Sequence, residues 1–414
     1  MRNTVRVFTL FSIILFIISC VQNSKPIKPE DAGMSSDTLS LASERMQSYI
    51  DQGKLAGIAV RTIKDGFVVQ DERFGYSDIE NEIPVEENTI YRIFSMSKPV
   101  TTVALMTLYD NGLFELDDKV SDYIPEFAET KVYTPGEDGF TLEPQENQMT
   151  IRHLLTHTSG LTYGWEAGSY VDSVYNATGV INWDAPLADK VKLLATLPLK
   201  YQPGTRWEYG LSIDVAGYLV ELLSGTTLDV YLSQEVFGPL GMDDTGFYVP
   251  ETKHSRLMNL YSRNENGELI NLSGTAGLTD AEADLNDIFK QPAIHFSGGG
   301  GLVSTMDDYA RFARMLLNGG ELEGIRILEE NTVDLIMSDQ LPEGVAYTEG
   351  FGYGLGGQVE IGSGSYSWGG AASTNFVVNP THNLIVLAFT QMMPSDYSYS
   401  IEYFGMVNKA IIKE

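Results

Sequence analysis

Apolar and polar positions fall into three textures along this chain, and each predicts a different kind of structure. Over residues 36–51, Leu39, Leu41, Ala42, Met46 and Ile50 recur at loosely helical spacing, which predicts an amphipathic helix. Two strand-like runs follow, Gly57-Ile58-Ala59-Val60-Arg61-Thr62-Ile63 and Gly66-Phe67-Val68-Val69-Gln70. Lys64-Asp65-Gly66 joins them as a hairpin turn. The next segment, from Met96 or Ser97 onward, is apolar nearly all round and meets no acidic residue until Asp110. A helix of that composition is buried. Asn111-Gly112 stops it.

From residue 113 to about 292 the texture changes to short helical patterns and long polar loops. Helices are predicted over 150–155, 188–195, 212–224 and 228–236, and a short piece begins at Leu116. Residues 134–148 (rich in Pro, Gly and Glu) and 170–181 read as loops. The last third is mixed. Ser297-Gly298-Gly299-Gly300-Gly301 is a flexible loop that exposes its backbone. A helix over 307–317, strands over 354–360, 376–379 and 384–390, and a closing helix over 401–412 follow. The simplest assembly is an α/β (α+β) fold. Residues 34–112 and 293–414 together form a mostly antiparallel sheet with helices on both faces, and residues 113–292 form a mainly helical subdomain between them.

Composition narrows the setting. The 414 residues are 43% hydrophobic and 20% charged, an ordinary globular balance. A net charge of −29 argues against a nucleic-acid partner, which requires a basic footprint. Residues 1–19 read as an address: Arg2 and Arg6, then an apolar run from Val7 to Ile18 that is too short for a stable membrane span. The run ends in Ile17-Ile18-Ser19-Cys20, which resembles a bacterial lipobox with Cys20 as the first, lipid-bearing residue. A plain secretory peptide is the alternative. Residues 20–33 form a short polar tether. Cys20 is the sole cysteine, so no internal disulfide forms.

The chemistry centres on Ser95-Met96-Ser97-Lys98-Pro99. Pro99 sits comfortably only in a first helical turn. Residues three apart share a helix face, so Lys98 points back toward the Ser95 hydroxyl. At the dry end of a core helix the charged form of a lysine is disfavoured, and the amine can act as a base. On its own the tetrad also fits a serine cap followed by a solvated lysine. A proton carrier is available in Tyr209, within Trp207-Glu208-Tyr209-Gly210, provided that a cation such as Lys98 assists it. Tyr109 is excluded, because it lies roughly 21 Å from Ser95 along the same helix. Ser367-Trp368-Gly369-Gly370-Ala371 suits a strand edge that substrate approaches closely. There the Ala371 N–H joins that of Ser95 as an oxyanion hole; a bulged strand without a role is the alternative.

With these elements in view, nearly the whole chain after residue 29 resembles the serine β-lactamase and penicillin-binding-protein superfamily. Its pattern is similar to that of the AmpC-type branch and, within it, the family VIII esterases. Besides the tetrad, the resemblance rests on Ile151-Arg152-His153-Leu154-Leu155-Thr156-His157-Thr158-Ser159-Gly160-Leu161, on Pro203-Gly204 with Trp207 and Tyr209, on Pro239-Leu240-Gly241-Met242-Asp243-Asp244-Thr245, and on Gly300-Gly301-Leu302-Val303-Ser304-Thr305. It implies a β-lactamase/transpeptidase-like fold and acylation of Ser95. It also implies proton exchange through Lys98 and Tyr209, an oxyanion hole of Ser95 and Ala371, and no metal or organic cofactor. His153 and His157 are then structural.

Two departures bear on substrate. Leu211 stands where dedicated β-lactamases carry an asparagine. Trp368 stands where they carry a lysine that greets a carboxylate. An apolar pocket formed by Trp368, Gly369, Gly370, Leu211 and Tyr163, with Trp165 and Tyr170 nearby, favours uncharged acyl groups. The expectation is a serine hydrolase of carboxylesterase type acting on small or medium acyl esters. It is exported to the bacterial cell envelope and touches membrane only through Cys20. The alternatives are an amide hydrolase acting on β-lactams or cell-wall peptides, and a non-catalytic envelope lipoprotein.

Overall fold

The computed structural model describes residues 27–137, 139–272 and 288–412. The expected address segment, Cys20 and the first half of the tether lie outside them. Residues 27–34 are docked rather than free. Pro29–Ala32 forms a tight turn, the Ile27 N–H donates to the Val68 carbonyl at 3.3 Å, and Met34 is buried beside Ile411.

Eight strands form the central sheet: β1 Gly57–Lys64, β2 Phe67–Asp78, β3 Ile83–Pro84, β4 Phe351–Tyr353, β5 Gln358–Glu360, β6 Tyr366–Gly370, β7 Thr374–Asn379 and β8 Leu384–Phe389. Their spatial order is β4-β5-β6-β7-β8-β1-β2-β3, and every neighbouring pair is antiparallel. Both chain ends thus build one sheet, joined where Ala59 faces Phe389. The β1–β2 turn is made by Asp65 (φ 52°) and Gly66 (φ 81°), the left-handed pair that a tight hairpin requires.

Helices cover both faces of the sheet. Helix α1 (Ser36–Asp51) and the last helix, α5 (Ser398–Ala410), pack together on one face. There the Tyr403 hydroxyl lies 2.9 Å from the Thr62 hydroxyl, and Gln70 donates to the Leu39 carbonyl at 3.0 Å. Successive strand residues point to opposite faces. Arg61 therefore reaches the other side, where it pairs with Asp307 of α4 (Met306–Leu317). Strand β8, covered on both sides, is buried at all six positions. The serine-bearing helix α2 (Ser97–Asp110) is buried from Ser97 to Leu108 and packs along α3 (Ser212–Ser224). Each large aliphatic side chain buried there contributes about 1.5–3 kcal/mol.

Several local expectations are corrected. Residues 134–148 are not an unstructured excursion: Lys131–Gly136 and Gly139–Pro144 form a hairpin. Its outer strand is exposed throughout, and its short alternation Phe140-Thr141-Leu142-Glu143 is framed by Pro and Gly residues that read as loop. Residues 170–181 contain the helix Tyr170–Thr178, capped by the Ser169 side chain and ended by Gly179 (φ 63°). Only Val171 and Tyr175 turn apolar side chains fully inward, too few to show a period. The run 354–360 is not one strand. It turns at Gly356 (φ 73°) between β4 and β5. The predicted helix over 228–236 breaks after Leu232 into a wider π turn. Leu41 points outward, and Tyr49 takes its place on the inner face of α1.

Candidate active site

The serine turn is assembled by pairing between distant segments. Strand Ile90–Arg92 pairs antiparallel with Val303–Thr305. The Ile93 N–H then donates to the Leu302 carbonyl at 3.1 Å, and the Leu302 N–H to the Ser97 hydroxyl at 3.1 Å. From α4 the Tyr309 hydroxyl donates to the Met96 carbonyl at 3.0 Å. Phe94, Ser95 and Met96 form a 3-10 turn ahead of α2, and Phe94 is held at φ 40°. A left-handed aromatic residue costs of order 1–3 kcal/mol and persists only where its surroundings over-determine it. Here the Phe289 ring meets Phe94 edge-on at 5.5 Å, and Ser95 is left half-buried at the rim.

Ser95 Oγ lies between two of the expected partners. The Tyr209 hydroxyl donates to it at 2.7 Å, and Lys98 Nζ stands 3.2 Å away. Lys98 is fully buried. Its amine also reaches the Gly299 carbonyl at 2.6 Å and the Tyr163 hydroxyl at 3.0 Å. Burial pulls the Lys98 amine down to about 7, and the Asp214 carboxylate opposes that fall. Burial pushes Tyr209 up, with Asp214 adding to the rise; its hydrogen bond to Ser95 offsets it only in part. Tyr209 therefore stays a neutral donor. The rise of Tyr209 speaks against the expected phenolate, whereas the fall of Lys98 accords with the expected reading of its amine as a base.

The other sequence candidates are brought in unequally. Tyr163 is less a pocket wall than a direct partner of Lys98. Leu211 is buried in the main core and ends the turn before α3, so it lines no open cleft. Trp368 is half-buried against Tyr209 (5.6 Å) and Tyr353 (5.3 Å). At Gly369 and Gly370 neighbouring protein groups leave no room for a side chain. A side chain at Gly370 would collide with the Ile93 carbonyl, and one at Gly369 with the Tyr397 ring. The approach at Gly370 sets the end of β6 against the serine turn, and Ala371 packs on the cluster that contains Phe94. His153 closes a capping box with Thr150. His157 is buried behind Tyr209 at 4.9 Å. Burial, and then the charge of Lys98, hold it well below its ordinary range.

Asp214, the order of the glycine loop and the second of two apolar walls escaped the sequence. Asp214, in the first turn of α3, accepts from the Ser297 hydroxyl at 2.5 Å; a carboxylate that opens an apolar helical run is the signal that marks it. Ser297-Gly298-Gly299 is no loose loop, since Thr101 donates to the Gly298 carbonyl at 2.8 Å and Lys98 holds Gly299. Two apolar walls pack on neighbours of the serine, Tyr209 and Phe94. One stacks the exposed Trp165 on Tyr163 at 4.7 Å. The other gathers Trp183, Ile288, Ala371 and Met393 around the Phe94–Phe289 cluster. Among the described residues no group of three acidic, His or Cys side chains could hold a metal, and no helix is long and apolar enough to cross a membrane.

The model of the family named Beta-lactamase matches residues 41–403. The chain belongs to that family. Its relatives divide by how much their names disclose. Protein Rv1367c of Mycobacterium tuberculosis is 33% identical over 84% of this chain and 89% of its own. Esterase EstB of Burkholderia gladioli is 30% identical over 87% of this chain and 93% of its own. The solved structure of EstCE1, described as a hydrolase with promiscuous acyltransferase activity, superposes with a TM-score of 0.75 at 26% identity. It covers 91% of this chain and 99% of that one. The fold is β-lactamase/transpeptidase-like, and the family is one of serine hydrolases that includes esterases.

Proposed function

We propose that this protein is a carboxylesterase-type serine hydrolase working through an acyl-enzyme on Ser95. The observation that carries the reading is Ser95 Oγ held 2.7 Å from the Tyr209 hydroxyl and 3.2 Å from a buried Lys98 amine. Neutral Lys98 takes the serine proton as Oγ bonds to the ester carbonyl carbon. The oxyanion is received by the Ser95 and Ala371 N–H groups. The Gly370 carbonyl is occupied on one side by the Tyr397 hydroxyl (2.9 Å) and the Ser373 N–H (2.8 Å), so the trans peptide turns the Ala371 N–H to the other. The carbon–oxygen ester bond then breaks, and Lys98 and Tyr209 return the proton to the departing alcohol. Water repeats the sequence on the acyl-enzyme. Trp368 offers a substrate carboxylate no positive charge, and the Trp183–Met393 wall suits a small or medium apolar acyl chain.

Purified protein assayed on p-nitrophenyl butyrate and on a chromogenic cephalosporin is expected to turn over the ester much faster. Fast cephalosporin hydrolysis with negligible ester turnover would replace this reading by the amide-hydrolase one. Absence of both turnover and acyl adduct would leave a binding lipoprotein. We further propose export and lipidation at Cys20, from the lipobox-like end of the leader. A palmitate analogue fed to expressing bacteria is expected to label the wild type and not Cys20→Ala; equal labelling of both refutes the assignment.

A further inference from the structure

We propose that Asp214 is a positioning residue for Lys98: its carboxylate anchors the loop that holds the lysine amine and supplies the facing negative charge that keeps that amine a competent base. The proposal rests on the reading of Ser95 and Lys98 given above and deepens it.

Asp214 sits in the first turn of α3, is 5% exposed and lies inside the molecule beneath the glycine loop. Its Oδ1 accepts from the Ser297 hydroxyl at 2.5 Å and from the Gly299 N–H at 3.3 Å. The carbonyl of that same Gly299 accepts from Lys98 Nζ at 2.6 Å. One residue is thus gripped from two sides, by the carboxylate through its N–H and by the amine through its carbonyl. The second oxygen, Oδ2, has no hydrogen-bond partner among the described residues. It points into the space that a side chain at position 299 would fill. A Cβ there would stand 2.5 Å from Asp214 Oδ2 and 3.0 Å from the Tyr163 hydroxyl, which itself contacts Lys98 at 3.0 Å. Glycine at 299 is what lets carboxylate, phenol and amine converge.

An unpaired oxygen on a buried carboxylate is costly. The positive end of α3 offsets part of that cost, but a neutral amide would hold the loop as well at a lower one. The charge itself is therefore the feature that calls for a role. The other titratable groups around the pair are neutral near pH 7. Tyr163 and Tyr209 are pushed up by burial, and His157 is held down by burial and by Lys98. His295, which also faces Lys190 and Asp184, is held down by burial against the pull of Asp214. Asp214 is left as the charged group that opposes the desolvation of Lys98. Without it the amine would release its proton at lower pH and be a weaker base toward Ser95.

The test is the pH dependence of kcat/KM on p-nitrophenyl butyrate for the wild type and for Asp214→Asn. Asparagine keeps an oxygen for Ser297 and Gly299 and removes only the charge. The expected result is an acid limb displaced by about one unit toward lower pH, with a lower plateau. A lowered plateau with an unmoved limb makes Asp214 a structural anchor only and overturns the proposal. Should Asp214→Asn fail to fold, Gly299→Ala takes its place. Its methyl group pushes the carboxylate away from Tyr163, and the limb is expected to move in the same direction; an unmoved limb in that variant overturns the proposal equally. Ser95→Ala separates the two ideas: turnover that survives it refutes the underlying reading, whatever the Asp214 variants do.

Discussion

Ser95→Ala is expected to lower kcat/KM for p-nitrophenyl butyrate by at least roughly 10⁴-fold, because the covalent route disappears with the hydroxyl. The fold is expected to survive. Lys98 keeps the Gly299 carbonyl and the Tyr163 hydroxyl as partners, and Ser95 is half-buried, so water can reach the Tyr209 hydroxyl left behind. A hydrogen bond lost at such a rim costs about 1 kcal/mol. Thermal unfolding should therefore shift by only a few degrees. Mass spectrometry after a short incubation should find an acyl group on the wild-type peptide containing Ser95 and none on the variant. Undiminished turnover in the variant would place the nucleophile elsewhere.

Lys98→Met should be nearly as damaging to activity and should affect stability in the opposite sense. Loss of a positioned base costs roughly 10²–10⁴-fold, while methionine fills the same volume with no charge to bury. The wild-type amine titrates at about 7 in the folded protein against 10.5 as its ordinary value. Below about 7 both folded and unfolded chains carry the proton, and the cost of the buried charge is fully present. As pH rises from about 7 toward 10.5 the unfolded chain holds the extra proton, so wild-type stability climbs through that window. Lys98→Met has no such group. Its advantage over the wild type in a denaturation series is expected to be greatest at acid pH and to shrink as pH rises. The same titration predicts that wild-type kcat/KM rises with pH through about 7. A gap in stability that stays constant with pH would mean that Lys98 is not strongly perturbed.

The two variants probe the part of the site that was legible in the chain. Pro99 and the apolar run behind it place Ser95 one turn ahead of a buried helix, and helical spacing alone brings Lys98 onto the serine. Those are local constraints, and the helix obeys them. Tyr209 was legible as a candidate through the turn that precedes α3. Its choice over the other 21 tyrosines needed the motif context. Leu211 and Trp368 were legible as departures, although burial leaves Leu211 only a negative part: it puts no amide beside Lys98.

Local pattern in the chain encodes the set of elements and their chemistry. These are a hairpin closed by Asp65-Gly66 and a dry helix begun by Ser95 and Lys98. Folding alone brings together the distant groups that share the buried volume around one amine. Tyr163 on Lys98, Gly299 between Lys98 and Asp214, and Gly370 against the Ile93 carbonyl are contacts across 65 to more than 270 residues of chain. No local period encodes them. The pull on Lys98 comes from desolvation opposed by a carboxylate on another helix, and both exist only once those helices have closed around it.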